Sequence, residues 1–207
     1  MKNKRTALIT GATSGIGFEL VKLFAADNIN LLLVSRNRKK LLEIKKSTIK
    51  DYKINVDIIA CDLAVTNSTS KVIEFCQLNK IRIDYLVNNA GFGIYGHFIE
   101  NNLADVQEMI NLNILSLTEM TKFFLVNMKK KNYGKVLNVA SVAAFQAGPL
   151  MSVYSATKHF VLAFSEALSE ELSDSNVSIT VLCPGPTISG FQERAGFPPT
   201  ARLFTSP

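Results

Sequence analysis

Short apolar runs alternate along the chain with longer stretches whose apolar positions recur at helical spacing. Ala7-Leu8-Ile9 predicts a first strand, followed by a helix over about Gly15 to Ala26. Asn30–Ser35 predicts a second strand, and a lysine-rich helix then runs to about Lys50. Val56–Ala60 is expected as a third strand, with a helix over roughly 66–79 behind it. Ile83–Asn88 is the fourth, and two helical stretches follow near 102–111 and 113–131. Gly134–Val139 predicts a fifth strand, a long helix runs from Ser152 to about Asp174, and Val177–Leu182 is the sixth. Strands that are apolar along their whole length must be buried on both faces, which predicts a parallel sheet between two helical layers. The expected fold is α/β, doubly wound, with a three-layer αβα arrangement. No repeat, low-complexity segment or linker breaks the pattern, so residues 1–207 are expected to form one domain.

The residues least expected of a plain core fall just after those strands. Gly11–Gly17 follows the first, Ser35-Arg36 the second and Asp62-Leu63 the third. Asn88-Asn89-Ala90-Gly91 ends the fourth, Ser141 follows the fifth and Pro184-Gly185 the sixth. In a parallel sheet all these points lie on the carboxyl edge, where open α/β folds bind ligands. Loops are polar and glycine-rich in any protein, so each occurrence alone says little. Their alignment on one edge predicts a single long site.

Composition removes several function classes. With 207 residues, 47% apolar and 19% charged, the chain can bury a sizeable core and has no disorder signature. Cys61, Cys76 and Cys183 are odd in number and far apart, which predicts reduced thiols and neither a disulfide frame nor a metal site. His97 and His159 are too isolated to suggest metal ligation. The apolar run behind the basic Met1–Arg5 is too short for a signal-peptide core, and nowhere do roughly 18 apolar residues run together. A soluble, cytoplasmic protein without membrane contact is expected. The formal net charge of +6 gathers at Lys2–Arg5, Arg36–Lys46 and Lys129–Lys131. No aromatic interleaving accompanies these clusters, so solvated helix faces are expected of them and nucleic-acid binding is not. Lys129–Lys131 would also complement a helix C-terminus.

Two motifs narrow the chemistry. Thr10-Gly11-Ala12-Thr13-Ser14-Gly15-Ile16-Gly17 lies between a strand and a helix, as a dinucleotide loop requires. Glycines there permit a tight turn and close backbone approach, and the helix N-terminus favours a pyrophosphate. The spacing is Gly-x-x-x-Gly-x-Gly, different from the commoner Gly-x-Gly-x-x-Gly. Ser-Val-Tyr-Ser-Ala-Thr-Lys, residues 152–158, puts Tyr154 and Lys158 on one helix face. A free phenol titrates near about 10. A cation beside it is expected to pull that value toward the working range. An isolated Tyr-x-x-x-Lys would most often be ordinary packing, so its context decides its meaning.

In context, the glycine pattern, Asn88-Asn89-Ala90-Gly91, and Ser141 ahead of Tyr154-x-x-x-Lys158 resemble the short-chain dehydrogenase/reductase family, in its compact branch. The match runs from the first strand to Pro184-Gly185. The resemblance implies a Rossmann-type fold and an oxidoreductase that interconverts a carbonyl and an alcohol by hydride transfer with a nicotinamide cofactor. It implies Tyr154 as the general acid or base, and Lys158 as the residue that lowers its pKa and binds the nicotinamide ribose. Ser141 would hold the substrate oxygen, and Asn113 would support a water-linked proton relay, with Asn111 close enough to compete for that role. For the cofactor it implies contacts from Thr10, Gly11, Thr13, Ser14, Gly15, Ile16 and Gly17. Asp62 and Leu63 would meet the adenine and Asn89 and Ala90 the adenosine ribose side. Pro184, Gly185 and Thr187 complete the set, Thr187 reaching the carboxamide.

Cofactor choice is legible after the second strand. Ser35-Arg36-Asn37-Arg38 offers no carboxylate for a 2′-hydroxyl until Glu43. Arg36 presents a planar donor set suited to a 2′-phosphate, and Ser35 adds a hydroxyl. NADP(H) is therefore expected over NAD(H), which stays possible. Phe92-Gly93-Ile94-Tyr95, Val142–Phe145, Leu150-Met151, Phe191 and Phe197 would shape a mostly apolar pocket for a small carbonyl or alcohol substrate, or serve equally as packing. Relatives commonly form homodimers or homotetramers on the helices placed here at 113–131 and 152–174.

The family pattern continues through a substrate-covering loop and helix to a seventh strand. Segment 186–207 reads as the beginning of that loop, no seventh strand is visible, and Ser189 stands where threonine is usual. The substrate loop is thus expected to be incomplete from about 186, leaving Val177–Leu182 as an exposed edge strand. A second reading is a non-catalytic nucleotide-binding or interaction protein inactivated by a shortened C-terminus. The intact Ser141, Asn113, Tyr154 and Lys158 weigh against it. An epimerase or dehydratase of the extended branch fits less well, because it would carry a Gly-x-x-Gly-x-x-Gly loop.

Overall fold

Six strands lie side by side and parallel in a computed structural model that describes residues 4–187 and 189–198. Lys2 of the N-terminal basic cluster and positions 199–207 of the expected covering loop lie outside the described residues. The strands are β1 (Thr6–Thr10), β2 (Asn30–Ser35), β3 (Val56–Ala60), β4 (Tyr85–Asn88), β5 (Gly134–Val139) and β6 (Val177–Leu182). Their spatial order, β3-β2-β1-β4-β5-β6, is that of a Rossmann-type sheet. The direction of winding reverses between β1 and β4, and a crevice opens there at the carboxyl edge. Helices α1 (Gly15–Ala26), α2 (Arg38–Asp51), α3 (Thr69–Leu78), α4 (Leu103–Ile110), α5 (Leu117–Lys130) and α6 (Ser152–Glu171) connect the strands.

Successive side chains along each strand enter opposite layers, as the period of two demands. Ala7, Ile9, Leu31, Leu33 and Val87 pack with Val21 and Ala25 of α1 and Leu41 and Ile44 of α2. Leu8, Leu32, Val34, Leu86 and Val136 face the other layer, where Met109, Met120, Phe124 and Met128 fill the space. This double burial is why the strands read as unbroken apolar runs. No helix among the described residues is long and apolar enough to cross a membrane.

Several boundaries depart from expectation, among them the end of α6 at Glu171, short of Asp174. β4 begins at Tyr85, because Asp84 turns inward: its carboxylate accepts the Thr6 amide at 3.1 Å and pairs with Arg82 at 2.6 Å. α3 starts at Thr69, later than the pattern placed it. The two helices placed at 102–111 and 113–131 form one continuous run, joined by a π-helical stretch at Asn111–Ser116. A π turn carries an extra residue within a helix, a device often found at functional sites. Lys129 and Lys130 occupy the last turn of α5, where they complement the dipole. β6 pairs with β5 on one side and has no strand on its other side among the described residues.

A polar chain crosses the interior beneath the carboxyl edge. Asn88 Nδ2 donates to Thr121 Oγ1 and to Asn138 Oδ1, each at 2.9 Å, and Asn138 Nδ2 donates to Ser165 Oγ at 3.0 Å. All four side chains are buried, so each hydrogen bond replaces one that water would otherwise supply. The chain ties α5, β4, β5 and α6 in a fixed lateral register. Asn138→Leu leaves the Asn88 amide and the Ser165 hydroxyl short of a partner and should lower unfolding free energy by about 3 kcal/mol. Urea denaturation measures it; a loss within error of zero would mean that water can enter and replace the chain.

Candidate active site

The glycine-rich loop is held by its neighbours as much as by its own conformation. Gly11 and Gly15 have φ values of +64° and +52°, in the left-handed region that favours glycine. A Cβ on Gly11 would lie 2.8 Å from Asn89 Nδ2, and one on Gly17 would collide with that amide and with the Gly11 carbonyl oxygen. Asn89 Nδ2 donates to the carbonyls of Thr10 at 2.9 Å and Gly11 at 3.2 Å. In return, Thr10 Oγ1 accepts the amides of Asn89 and Ala90, both at 3.0 Å, and donates to Val87 O at 3.2 Å. These bonds stitch the ends of β1 and β4 together across the crevice.

A cavity of about 480 Å³ runs along this edge. Gly11, Thr13, Ser14, Gly15 and Ile16 line it from the loop, Ser35 and Arg36 from the end of β2, and Asp62 and Leu63 from the end of β3. Asn89, Ala90, Pro184, Gly185 and Thr187 line it too, together with Ser141, Tyr154 and Lys158. Thr10 and Gly17 do not: they sit beneath the loop and shape it. No acidic residue occupies the first turn of α1, so its amide dipoles stay available to an anion. At the far end, Thr13 Oγ1 and Ser35 Oγ are 2.8 Å apart, and Arg36 reaches Asp62 at 3.5 Å, an exposed pair that contributes little to stability. The loop, the helix N-terminus and the Arg36 guanidinium fit an elongated phosphorylated nucleotide.

At the other end, Ser141 follows β5 with its Oγ accepting the Ala143 amide at 3.1 Å, opening a single 3-10 turn. Tyr154, in the first turn of α6, is buried, and burial pushes its pKa up; the neighbouring Ser141 hydroxyl works against that rise. Lys158 is also buried, and its Nζ donates to Val139 O at 2.8 Å, 5.7 Å from the Tyr154 ring centroid. Desolvation brings the ammonium down to about 8. The Lys158 ammonium is turned to the β5 carbonyl, and burial is the largest influence on the phenol.

Asn113 lies behind the cavity wall. Its Nδ2 donates to Phe92 O at 2.9 Å and to Thr157 Oγ1 at 3.1 Å, and its Oδ1 accepts the Phe92 amide at 3.2 Å. The π turn aims this side chain inward, and Gly91 passes so close that a Cβ there would stand 3.1 Å from Asn113 Oδ1 and 3.5 Å from Lys158 Nζ. Thr157, one residue before Lys158, had no distinguishing mark in the sequence, since a threonine in a helix is unremarkable.

A short helix, α7 (Phe191–Ala195), closes over the Tyr154 end of the cavity. Phe191 sits 5.2 Å from the Tyr154 ring, and Ala195 O accepts the Tyr95 amide at 2.8 Å. Of the apolar residues expected to shape a pocket, Val142, Ala143, Met151, Phe191 and Phe197 line the cavity. Tyr95 stacks on Phe197 at 4.6 Å, Phe92 is core, and Phe145 faces solvent.

Residues 5–196 match the family model described as short chain dehydrogenase. The chain belongs to the short-chain dehydrogenase family. The chain is 32% identical over 181 residues to Ketoacyl reductase HetN of Nostoc sp., covering 87% of the chain and 63% of that relative. It is 34% identical over 183 residues to Very-long-chain 3-oxoacyl-CoA reductase-B of Danio rerio, covering 86% and 58%. The solved structure of a short-chain dehydrogenase from Sphingobium yanoikuyae in complex with NADPH matches with a TM-score of 0.89 and 30% identity, over 98% of this chain and 77% of that one. The chain thus spans about 60% of the length of the two curated relatives.

The buried ammonium has a consequence for stability. Lys158 has a folded pKa of about 8, below the roughly 10.4 of an unfolded lysine. The cost of burying its charge is full below about pH 8 and fades as pH rises toward about 10.4, amounting to about 3 kcal/mol. Lys158→Met should therefore be about 2 kcal/mol more stable than wild type at pH 7, after loss of the Val139 hydrogen bond. The difference should shrink by pH 10. Urea titrations at both pH values would refute this if the variant were the less stable protein at pH 7.

Proposed function

We propose that this short-chain dehydrogenase interconverts a carbonyl and an alcohol using NADP(H), with Tyr154 as the acid or base. The observation that carries the reading is the sharing of one cavity by the Tyr154 and Ser141 hydroxyls, the glycine-rich loop and Arg36. The relatives' reductase names and the NADPH in the Sphingobium yanoikuyae structure support the same choice. The loop from Gly11 to Ile16, shaped from beneath by Thr10 and Gly17, and the N-terminus of α1 would hold the pyrophosphate, and Ser35 and Arg36 the 2′-phosphate. Asp62 and Leu63 would meet the adenine, Asn89 and Ala90 its ribose, Lys158 the nicotinamide ribose, and Pro184, Gly185 and Thr187 the carboxamide end. The bound cofactor supplies or accepts the hydride.

The protein's own part is to position the substrate oxygen and manage its proton. With its pKa raised by burial, the Tyr154 phenol stays protonated at neutral pH, the form needed to give a proton to a carbonyl being reduced. Ser141 donates to the same oxygen as charge grows there. Asn113, with both amide ends committed to Phe92 and Thr157, holds the loop after β4 against α6 and so keeps Lys158 and Tyr154 in place. The apolar wall of Val142, Ala143, Met151 and Phe191, with the relatives' names, points to a hydrophobic 3-oxoacyl compound or similar ketone. Residues 1–207 would act as one NAD(P)-binding unit in the cytoplasm, assembled as a homodimer or homotetramer through α5 and α6.

Oxidation of NADPH by a panel of 3-oxoacyl thioesters and bulky ketones tests the reaction. Tyr154→Phe should reduce kcat/KM by about 10²–10⁴-fold while NADPH binding stays within about twofold. Turnover that survives this substitution would remove Tyr154 from the chemistry. Wild type should also have a lower KM for NADPH than for NADH, and Arg36→Asp should reverse the order. Equal KM values in the wild type would refute the cofactor preference.

A further inference from the structure

The helix α7 spans the cavity, and its two ends meet different parts of it. Phe191, at its start, lies against Tyr154 at the catalytic end. Arg194, three residues on, lays its guanidinium 4.1 Å from the centre of the Phe92 ring and lines the same cavity as Arg36 and Asp62. The helix is anchored between them by the hydrogen bond from the Tyr95 amide to Ala195 O. It is anchored too by Ser189, whose Cβ lies 3.2 Å from where a Cβ on Gly15 would be. The strap therefore touches the dinucleotide loop, the catalytic tyrosine and the adenosine end at once.

The charges at that end do not balance. Two guanidiniums face one carboxylate, and Asp62 already pairs with Arg36 at 3.5 Å. Among the described residues no carboxylate lies within ion-pair distance of Arg194, and its guanidinium donates no hydrogen bond. A stacked position over phenylalanine attracts the cation but leaves its N–H groups without acceptors. Burial and then the charge of Arg36 depress the Arg194 pKa, and the charges of Asp62 and Glu108 offset this only in part. A dianionic phosphate monoester matches two planar forks arranged in this way.

We propose that Arg194 is a second ligand for the 2′-phosphate of NADP(H), closing on it opposite Arg36, so that docking of the strap over Tyr154 depends on that phosphate. The proposal rests on the NADP(H) reading above and extends it from one arginine to a two-arginine clamp. NAD(H) offers only a hydroxyl at this place and leaves the two cations unreconciled. Because Phe191 and Arg194 share one helix of five residues, an anion bound at one end holds the aromatic cover at the other.

The test uses the whole chain and three probes, NADPH, NADH and 2′,5′-ADP, with affinities measured by calorimetry. Arg194→Gln should weaken NADPH and 2′,5′-ADP by about tenfold or more, the scale of one charge-assisted hydrogen bond, and leave NADH within about twofold. Unchanged NADH binding also shows that the variant is folded. NADPH, but not NADH, should slow tryptic cleavage after Arg194 in the wild type. If wild type binds NADPH no more tightly than NADH, the cofactor reading and the clamp fall together. If Arg36→Gln abolishes the preference and Arg194→Gln keeps it, the clamp alone falls. An equal loss for both cofactors in Arg194→Gln likewise overturns the clamp, since it would place Arg194 in general closure.

Discussion

Parallel strands cannot be joined by tight turns, and that constraint organises this molecule. Each connection must cross a face of the sheet, so every strand delivers its carboxyl end to the same edge. Six strand ends along one edge supply a glycine loop, an arginine, an aspartate, an asparagine pair, a serine and a proline-glycine turn without any long-range threading. The reversal of order between β1 and β4 leaves a gap there, and the mutual hydrogen bonds of Thr10 and Asn89 bridge it. The same asparagine amide forbids side chains at Gly11 and Gly17. Loop conformation and strand spacing are thus one structural fact.

The interior is built to carry polarity at a cost. Asn88 and Asn138 replace apolar packing with a hydrogen-bonded chain under the site, and Lys158 is kept as a buried cation against the Val139 carbonyl. A structure selected for stability alone would fill both places with apolar side chains. What these groups provide is placement: α6 is fixed against β5, and the tyrosine and lysine it bears are presented to the cavity in a single arrangement. The phenol beside them is dehydrated, which keeps its proton in place at neutral pH.

Among the described residues, the cover of the site is slight compared with its floor. One short helix, docked through an aromatic contact, a backbone hydrogen bond and a serine on a glycine, spans from the tyrosine to the arginines. Those contacts are separate and few, whereas the strands of the sheet are joined by continuous ladders.

Strand positions and the parallel sheet were legible because a doubly buried strand must be apolar at every position, whatever its neighbours. That Ser141, Tyr154, Lys158 and the glycine loop would meet at one cavity could be read too, because their order along the chain maps directly onto one sheet edge. The join at Asn111–Ser116, the inward turn of Asp84 and the contacts of Thr157 and Arg194 could not be read in this way. Each depends on a partner far along the chain. The direction of the Tyr154 pKa was likewise decided by tertiary structure. Helical spacing puts Lys158 on the same face as Tyr154, but only packing determines that its ammonium turns to Val139 while the phenol loses water. Periodicity records which side of an element is buried; what each buried group meets there is settled by the other elements that close over it.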